Sequence, residues 1–132
     1  MGYVGNLLRV NLTDNEVALE PLDLEIAAEY IGGRGYGVKL LWDELAPNVE
    51  PLSDGNKIVF MTGPLTGLAP ASGRSCVVSR SPQTNTMFDS HVGGRWGVGL
   101  KAAGFDGVMV EGAAEGPVCI HIHDGKATIK AT

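Results

Sequence analysis

Glycine falls in clusters along this chain, and the clusters keep company with arginine: Gly33-Arg34-Gly35, Gly73-Arg74 at the end of a glycine- and proline-marked stretch, and Gly93-Gly94-Arg95. The 19 glycines among 132 residues are about twice the average usage of roughly 7%. Glycine is placed where φ is positive or where backbone must lie directly against another group, so many backbone positions here are special. A disordered chain can be glycine-rich too, but it lacks apolar residues. Here 44% of residues are hydrophobic and 19% charged, which points to a folded, loop-rich binding domain. The length suits one domain, residues 1–132, able to bury a sizeable core.

The pattern between the clusters is mostly that of strands. Leu8-Arg9-Val10-Asn11-Leu12 alternates, Thr13-Asp14-Asn15 supplies turn chemistry, and Glu16-Val17-Ala18-Leu19 returns, predicting a hairpin. Asp23 is a candidate N-cap for a short helix to about Ile31, with Gly32-Gly33 as its stop. Val38, Leu41, Trp42 and Leu45 recur at helical spacing and predict one apolar face, ended by Pro47. Strands follow at 57–62, 74–79 and 87–90, then a helix at 95–103, then strands at 108–111, 118–123 and 127–130, with Asp124-Gly125 as a turn. The expected class is α+β: a β-rich domain with two or three short helices packed on antiparallel or mixed sheets. The loop at 63–73 is long for a compact domain, and such loops are often functional.

Charge and composition remove several function classes. A net charge of −5 with scattered Lys and Arg lacks the basic face that counterion release on nucleic acid requires. No apolar run approaches the roughly 20 residues of a membrane span, and the first residues lack a secretory pattern, so a cytoplasmic protein is expected. Cys76 and Cys119 stand far apart without a CxxC pair and read as buried small hydrophobes.

Three constellations bear on chemistry. Glycine-exposed N–H groups beside an arginine fork suit phosphate or pyrophosphate; any one such arginine is ordinarily a surface residue, and three together strengthen the case. Gly97 and Gly99 weaken the helix at 95–103, which implies close packing there against backbone or against a ligand. Gly97-x-Gly99-x-x-Ala102 matches a dinucleotide fingerprint in form, but it falls inside a helix rather than opening one after a strand. His121 and His123 share a strand face at a spacing open to a metal, although polar residues on a hairpin face are the ordinary case. No nucleophile has a readable base partner, and Asp43-Glu44 reads as solvated charge, so no catalytic residue is assigned.

In order, Gly5-Asn6-Leu7-Leu8-Arg9-Val10-Asn11-Leu12, Ile31-Gly32-Gly33-Arg34-Gly35, Gly63-Pro64-Leu65-Thr66-Gly67, Gly73-Arg74, Gly93-Gly94 and Leu100-Lys101-Ala102-Ala103-Gly104-Phe105-Asp106 resemble the N-terminal domain of the tungsten-containing aldehyde ferredoxin oxidoreductase family. Separated motifs in a fixed order are more specific than any one glycine pattern. The resemblance implies oxidation of aldehydes to carboxylic acids at tungsten held by two pterins, with electrons leaving through a [4Fe-4S] cluster to ferredoxin. It implies cofactor-binding roles for Arg74, His91, Val92, Gly93, Gly94 and Arg95, with the His91 carbonyl facing a bridging magnesium. A hard cation accepts carbonyl and phosphate oxygens.

Family members commonly carry asparagine where this chain has His91; a main-chain contact survives that exchange and a side-chain contact does not. The family's cluster cysteines and later domains have no counterpart in these residues. The resemblance therefore implies one N-terminal domain, cut short at its C-terminal end and inactive without the remaining domains or subunit. It separates neither tungsten from molybdenum nor aldehyde oxidation from the branch that reduces aromatic thioesters. A free-standing nucleotide-binding module and a noncatalytic assembly domain of the same fold are the alternatives.

Overall fold

The structure, a computed structural model, describes residues 2–132 and leaves Met1 outside. Its elements are β1 (Asn6–Asn11), β2 (Glu16–Pro21), α1 (Leu24–Tyr30), α2 (Gly33–Glu44), β3 (Lys57–Met61), β4 (Ser75–Arg80), β5 (Met87–Val92), α3 (Trp96–Ala102), β6 (Gly107–Glu111), β7 (Val118–His123) and β8 (Lys126–Ala131). Six strands form one sheet in the order β2-β1-β6-β3-β4-β5, and β7 pairs β8 separately. Among the described residues only the β1–β6 pair is parallel; the other neighbours are antiparallel. The expected α+β class is the one found.

Strand alternation divides the apolar residues between two cores, because successive side chains leave opposite faces of a sheet. Leu7, Val59, Met61, Cys76, Val78 and Met109 face α1 and α2, where Leu22, Ala27, Tyr36 and Leu41 close the packing. Leu8, Val10 and Val108 face the other way, onto Leu100 and Phe105, with Ile120, Ile122, Ala127 and Ile129 of the β7–β8 hairpin packed against them. The sheet is thus a middle layer with helices on one side and α3 plus a hairpin on the other. Helix α2 lies close on β4: a Cβ at Gly37 would stand 2.9 Å from Val78 Cγ2.

Three local expectations are corrected. Asp23 does cap α1, accepting from the Glu25 and Ile26 N–H groups, but Gly32-Gly33 is not its stop. Ile31 closes α1 at φ 68°, and Gly32 is already the N-cap of α2. Starting α2 at Gly33 turns Tyr36, Gly37 and Leu41 inward; Val38 and Leu45 only flank the core, and Trp42 is 77% exposed. Cys119, expected to be buried, is exposed. On β7 the alternate residues Ile120 and Ile122 take the inward places, and Cys119, His121 and His123 take the outward ones.

The sheet is fastened at both ends. At one end Arg9 reaches Glu20 at 2.6 Å, Glu44 at 2.9 Å and Glu111 at 3.2 Å, and Lys57 meets Glu111 at 2.6 Å and Glu44 at 3.4 Å. This half-buried network joins β2, β1, β6, β3 and α2. At the other end Asp106, 2% exposed, accepts from the Val4 N–H at 3.0 Å and the Gly5 N–H at 2.6 Å, with Lys101 Nζ 3.5 Å away. Its own N–H donates to the Asn6 carbonyl at 2.8 Å, and its carbonyl accepts from the Thr62 N–H and hydroxyl at 2.9 and 2.6 Å.

Two outcomes are expected. Asp106→Ala strands two backbone N–H groups and leaves the Lys101 ammonium without its countercharge in a buried place, and should lower the unfolding free energy by about 3 kcal/mol, read from the urea midpoint against Asp54→Ala as an exposed control. Burial pushes the Glu111 carboxyl up, but the hydrogen bond and charge of Lys57, together with Arg9, outweigh it and hold the group below its ordinary 4.5. A depressed carboxyl stabilises the fold above its unfolded value and ceases to do so as pH falls through its folded value. Lys57→Met should therefore flatten the acid limb of the stability profile below about pH 4.5.

Candidate functional site

The sheet end held by Asp106 is also where the glycine-arginine turns gather. Strands β1, β6 and β4 begin there and β3 and β5 finish there, since Met61 pairs with both Gly107 and Cys76, and Ser75 pairs with Val92. The loop 63–73 folds on itself: the Ser72 hydroxyl accepts from the Gly67 and Ala69 N–H groups at 3.1 and 3.2 Å, and the Gly63 N–H donates to Thr66 Oγ1 at 3.0 Å. It then packs on the next loop. A Cβ on Gly73 would collide with the Gly94 carbonyl oxygen, and one on Gly97 would stand 3.3 Å from both Ser75 Cβ and Thr66 Cγ2. Of the two explanations for the glycines of α3, close backbone packing accounts for Gly97; Gly99 is exposed, with no atom near its missing Cβ.

Arg74 stands immediately before β4 and Arg95 immediately before α3, both exposed. The guanidinium ion pairs of the described residues belong to Arg9 and Arg34, so Arg74 and Arg95 keep their charge turned to solvent. Gly93 and Gly94 lie between them, exposed, and a Cβ on either would meet nothing within 4 Å. Gly94 has φ +89°, a conformation that favours glycine over any residue with a Cβ. Strand β5 runs to Val92, two residues beyond the expected 87–90, because β4 offers partners as far as Ser75. His91 and Val92 are thereby strand residues rather than loop residues. Beside them Ser75 Oγ is buried without a hydrogen-bond partner among the described residues, a vacancy in polar satisfaction that native structures rarely leave.

The third arginine arrives from the other face. The Gly33 N–H donates to the Thr62 carbonyl at 2.9 Å, which seats α2 over Cys76, and Arg34 Nη1 lies 3.7 Å from Asp89 Oδ2. His91 Nε2 is 3.0 Å from the same oxygen. Burial, and then the charge of Asp89, push the Cys76 thiol up, with Arg34 opposing. No spacing rule finds this trio of Cys76, Asp89 and His91; it follows from the β4–β5 register, in which Cys76 faces His91.

Other sequence candidates are dispersed or dismissed. His121 and His123 stack with ring centroids 5.9 Å apart on the outer face of the hairpin, with Asp124 3.2 Å from His123. The dinucleotide fingerprint has no βαβ frame: β5 stands antiparallel to β4 at the sheet edge, and β6, after α3, lies two strands beyond β4 and runs opposite to β5. Glu44, read as solvated, belongs to the Arg9 network.

A layered α+β domain with one sheet end given over to uncovered glycine backbone and solvent-facing arginines matches the N-terminal portion of a class of large oxidoreductases. The chain belongs to the aldehyde ferredoxin oxidoreductase N-terminal domain family, whose model matches residues 7–132. It is 44% identical over 130 residues to the tungsten-containing aldehyde ferredoxin oxidoreductase of Pyrococcus abyssi, covering 98% of this chain and 21% of that protein. It is 38% identical over 131 residues to the aliphatic sulfonate oxidoreductase, WOR-like subunit, of Pyrococcus furiosus, covering 97% and 21%. Among solved structures it superposes on the active site complex BamBC of benzoyl coenzyme A reductase, in complex with 1,5-dienoyl-CoA, with a TM-score of 0.95 and 35% identity, covering 98% of this chain and 20% of that one. The chain thus spans about a fifth of the length of these relatives.

The contact between the two loops has a measurable consequence. Gly73→Ala should lower stability by about 1–3 kcal/mol through collision with the Gly94 carbonyl, whereas Gly93→Ala, which meets open space, should shift the thermal unfolding midpoint little.

Proposed function

We propose that this chain is the tungsten bis-pterin cradle of an oxidoreductase that converts aldehydes to carboxylic acids with ferredoxin as electron acceptor. The observation that carries the reading is the one sheet end where Arg74, Arg95, the uncovered backbone of Gly93 and Gly94, and the unpartnered Ser75 hydroxyl come together. Family membership and the tungsten-containing relatives support the class of chemistry.

The residues present fit an anionic, phosphate-bearing ligand. Arg74 offers a planar fork of donors that balances phosphate charge in paired geometry. Arg95 supplies a second cation across the loop. Gly93 and Gly94 let a ligand approach the main chain without meeting a side chain, and the Ser75 hydroxyl has a bond to give. Val92 and the His91 carbonyl, at the end of β5, border the same edge, where the carbonyl oxygen would suit a hard cation such as magnesium. When bound, a tungsten pterin supplies two-electron redox chemistry at the carbonyl carbon. The protein's own task here is to hold and orient.

The remaining parts of the reading lie outside these residues. Cys76 is buried and Cys119 exposed on a separate hairpin, so a [4Fe-4S] cluster and the route to ferredoxin belong to further domains, as does most of a substrate pocket. No helix of the described residues is long and apolar enough to cross a membrane, in keeping with a cytoplasmic enzyme.

Removing one charged hydrogen-bond donor costs about 1.5–3 kcal/mol, a ~10–100-fold loss of affinity. With the chain expressed alongside the rest of the enzyme in an anaerobic host supplied with tungstate, Arg74→Ala should lower tungsten and released pterin per chain, read by mass spectrometry and pterin fluorescence, while Arg80→Ala should not. Undiminished cofactor in Arg74→Ala would instead favour a noncatalytic assembly role for this domain.

A further inference from the structure

We propose that the side chains of Cys76, Asp89 and His91 form a binding site for one borderline-soft divalent cation, of the Zn2+ or Co2+ class, with a fourth coordination position open. The three ligand atoms lie within 4.8 Å of one another, on the α2 face of adjacent antiparallel strands. Cys76 and His91 are direct cross-strand partners, and Asp89, two residues before His91, shares its face. The backbone positions are therefore fixed by strand pairing, and only side-chain torsions remain to adjust. Bond lengths of ~2.0–2.3 Å set tetrahedral ligand atoms about 3.3–3.8 Å apart. Asp89 Oδ2 and His91 Nε2 are already nearer than that, at 3.0 Å, so the cluster has to contract only at the sulfur.

The donor set selects the cation. One thiolate, one imidazole and one carboxylate suit Zn2+ or Co2+ and do not suit Mg2+ or Ca2+, which take oxygen. Binding releases the Cys76 thiol proton to solvent and uses the neutral imidazole, leaving the cation with two anionic ligands. The competing cation is Arg34, 3.7 Å from Asp89 with a side chain 65% exposed; it can swing to water when Asp89 turns to the metal. The sulfur side of the site is buried beneath α2, whose Gly33 would carry a Cβ 4.0 Å from Cys76 Cβ. Asp89 and His91 are exposed, which gives the ion an entry path and leaves the fourth position for water or a donor from another domain. The inference is independent of the pterin reading, which uses the backbone of His91 and not its ring.

The test is titration of the untagged 132-residue chain with Co2+ under reducing conditions, followed by displacement with Zn2+. One Co2+ per chain is expected, with a thiolate-to-cobalt charge-transfer band and intense visible bands of a four-coordinate ion, all erased by Zn2+. Cys76→Ser should abolish the charge-transfer band. His91→Asn and Asp89→Asn, both at exposed positions, should each weaken binding by at least ~10-fold with an unchanged far-ultraviolet circular dichroism spectrum. The double variant His121→Asn/His123→Asn should bind as the parent does. The site is overturned if the parent gives no charge-transfer band, if the band survives His91→Asn at undiminished affinity, or if it disappears with the His121/His123 double variant.

Discussion

One buried carboxylate governs the geometry of the glycine- and arginine-rich end of this domain. Asp106, 2% exposed, sits where β1 and β6 start and β3 stops, and it serves all three with its own donors and acceptors. Its side chain satisfies the N–H groups of Val4 and Gly5, its carbonyl receives both donors of Thr62, and Lys101 of α3 stands by with the balancing charge. A buried charge is tolerated only when it is paired and fully hydrogen-bonded, so these partners are coupled: the N-terminal segment, the loop after β3 and the end of α3 share one anchor. The glycine-arginine turns are mounted on that anchor, through Thr62 to α2 and to the 63–73 loop, and through α3 to Gly93 and Gly94.

The mixed sheet explains why the turns can meet. With β1, β4 and β6 pointing one way and β3 and β5 the other, loops that are far apart in sequence open at the same edge. Each face of the sheet then contributes separately. From the α2 side come Gly33, Arg34 and the Cys76 cluster; from the α3 side come Gly97, Thr66 and Ser75, with Gly73 locked against Gly94. Small residues are needed where these layers approach, which is why a glycine-rich composition accompanies a rigid arrangement here rather than a loose one.

The layered class, the N-terminal hairpin, the Asp23 cap and the strands were legible because strand alternation and turn chemistry are local signals. The exposure of Trp42 is not legible in the helical spacing, because its phase depends on where α2 starts, and a tertiary bond from Gly33 to Thr62 decides that. The exposure of Cys119 is not legible either, because period two assigns neighbours to opposite faces without saying which face is covered. The convergence of Arg74, Gly93, Gly94 and Arg95 was legible as a set of motifs, yet its geometry depended on strand order. The trio of Cys76, Asp89 and His91, and the Arg9 network, are written in register alone: their members come from different strands, and nothing in the spacing of one strand names its partner on the next.

The opposite end of the sheet has a thermal character of its own. Arg9, Lys57, Glu20, Glu44 and Glu111 replace apolar packing there with a web of charge spread over four strands and a helix. Hydration of ions becomes less favourable on heating, so the cost of withdrawing these groups from water shrinks while the benefit of apolar burial levels off. Warming therefore shifts the balance of cohesion across the sheet, from its greasy middle toward this charged rim, and a domain built this way holds its far edge best when its core is gaining least.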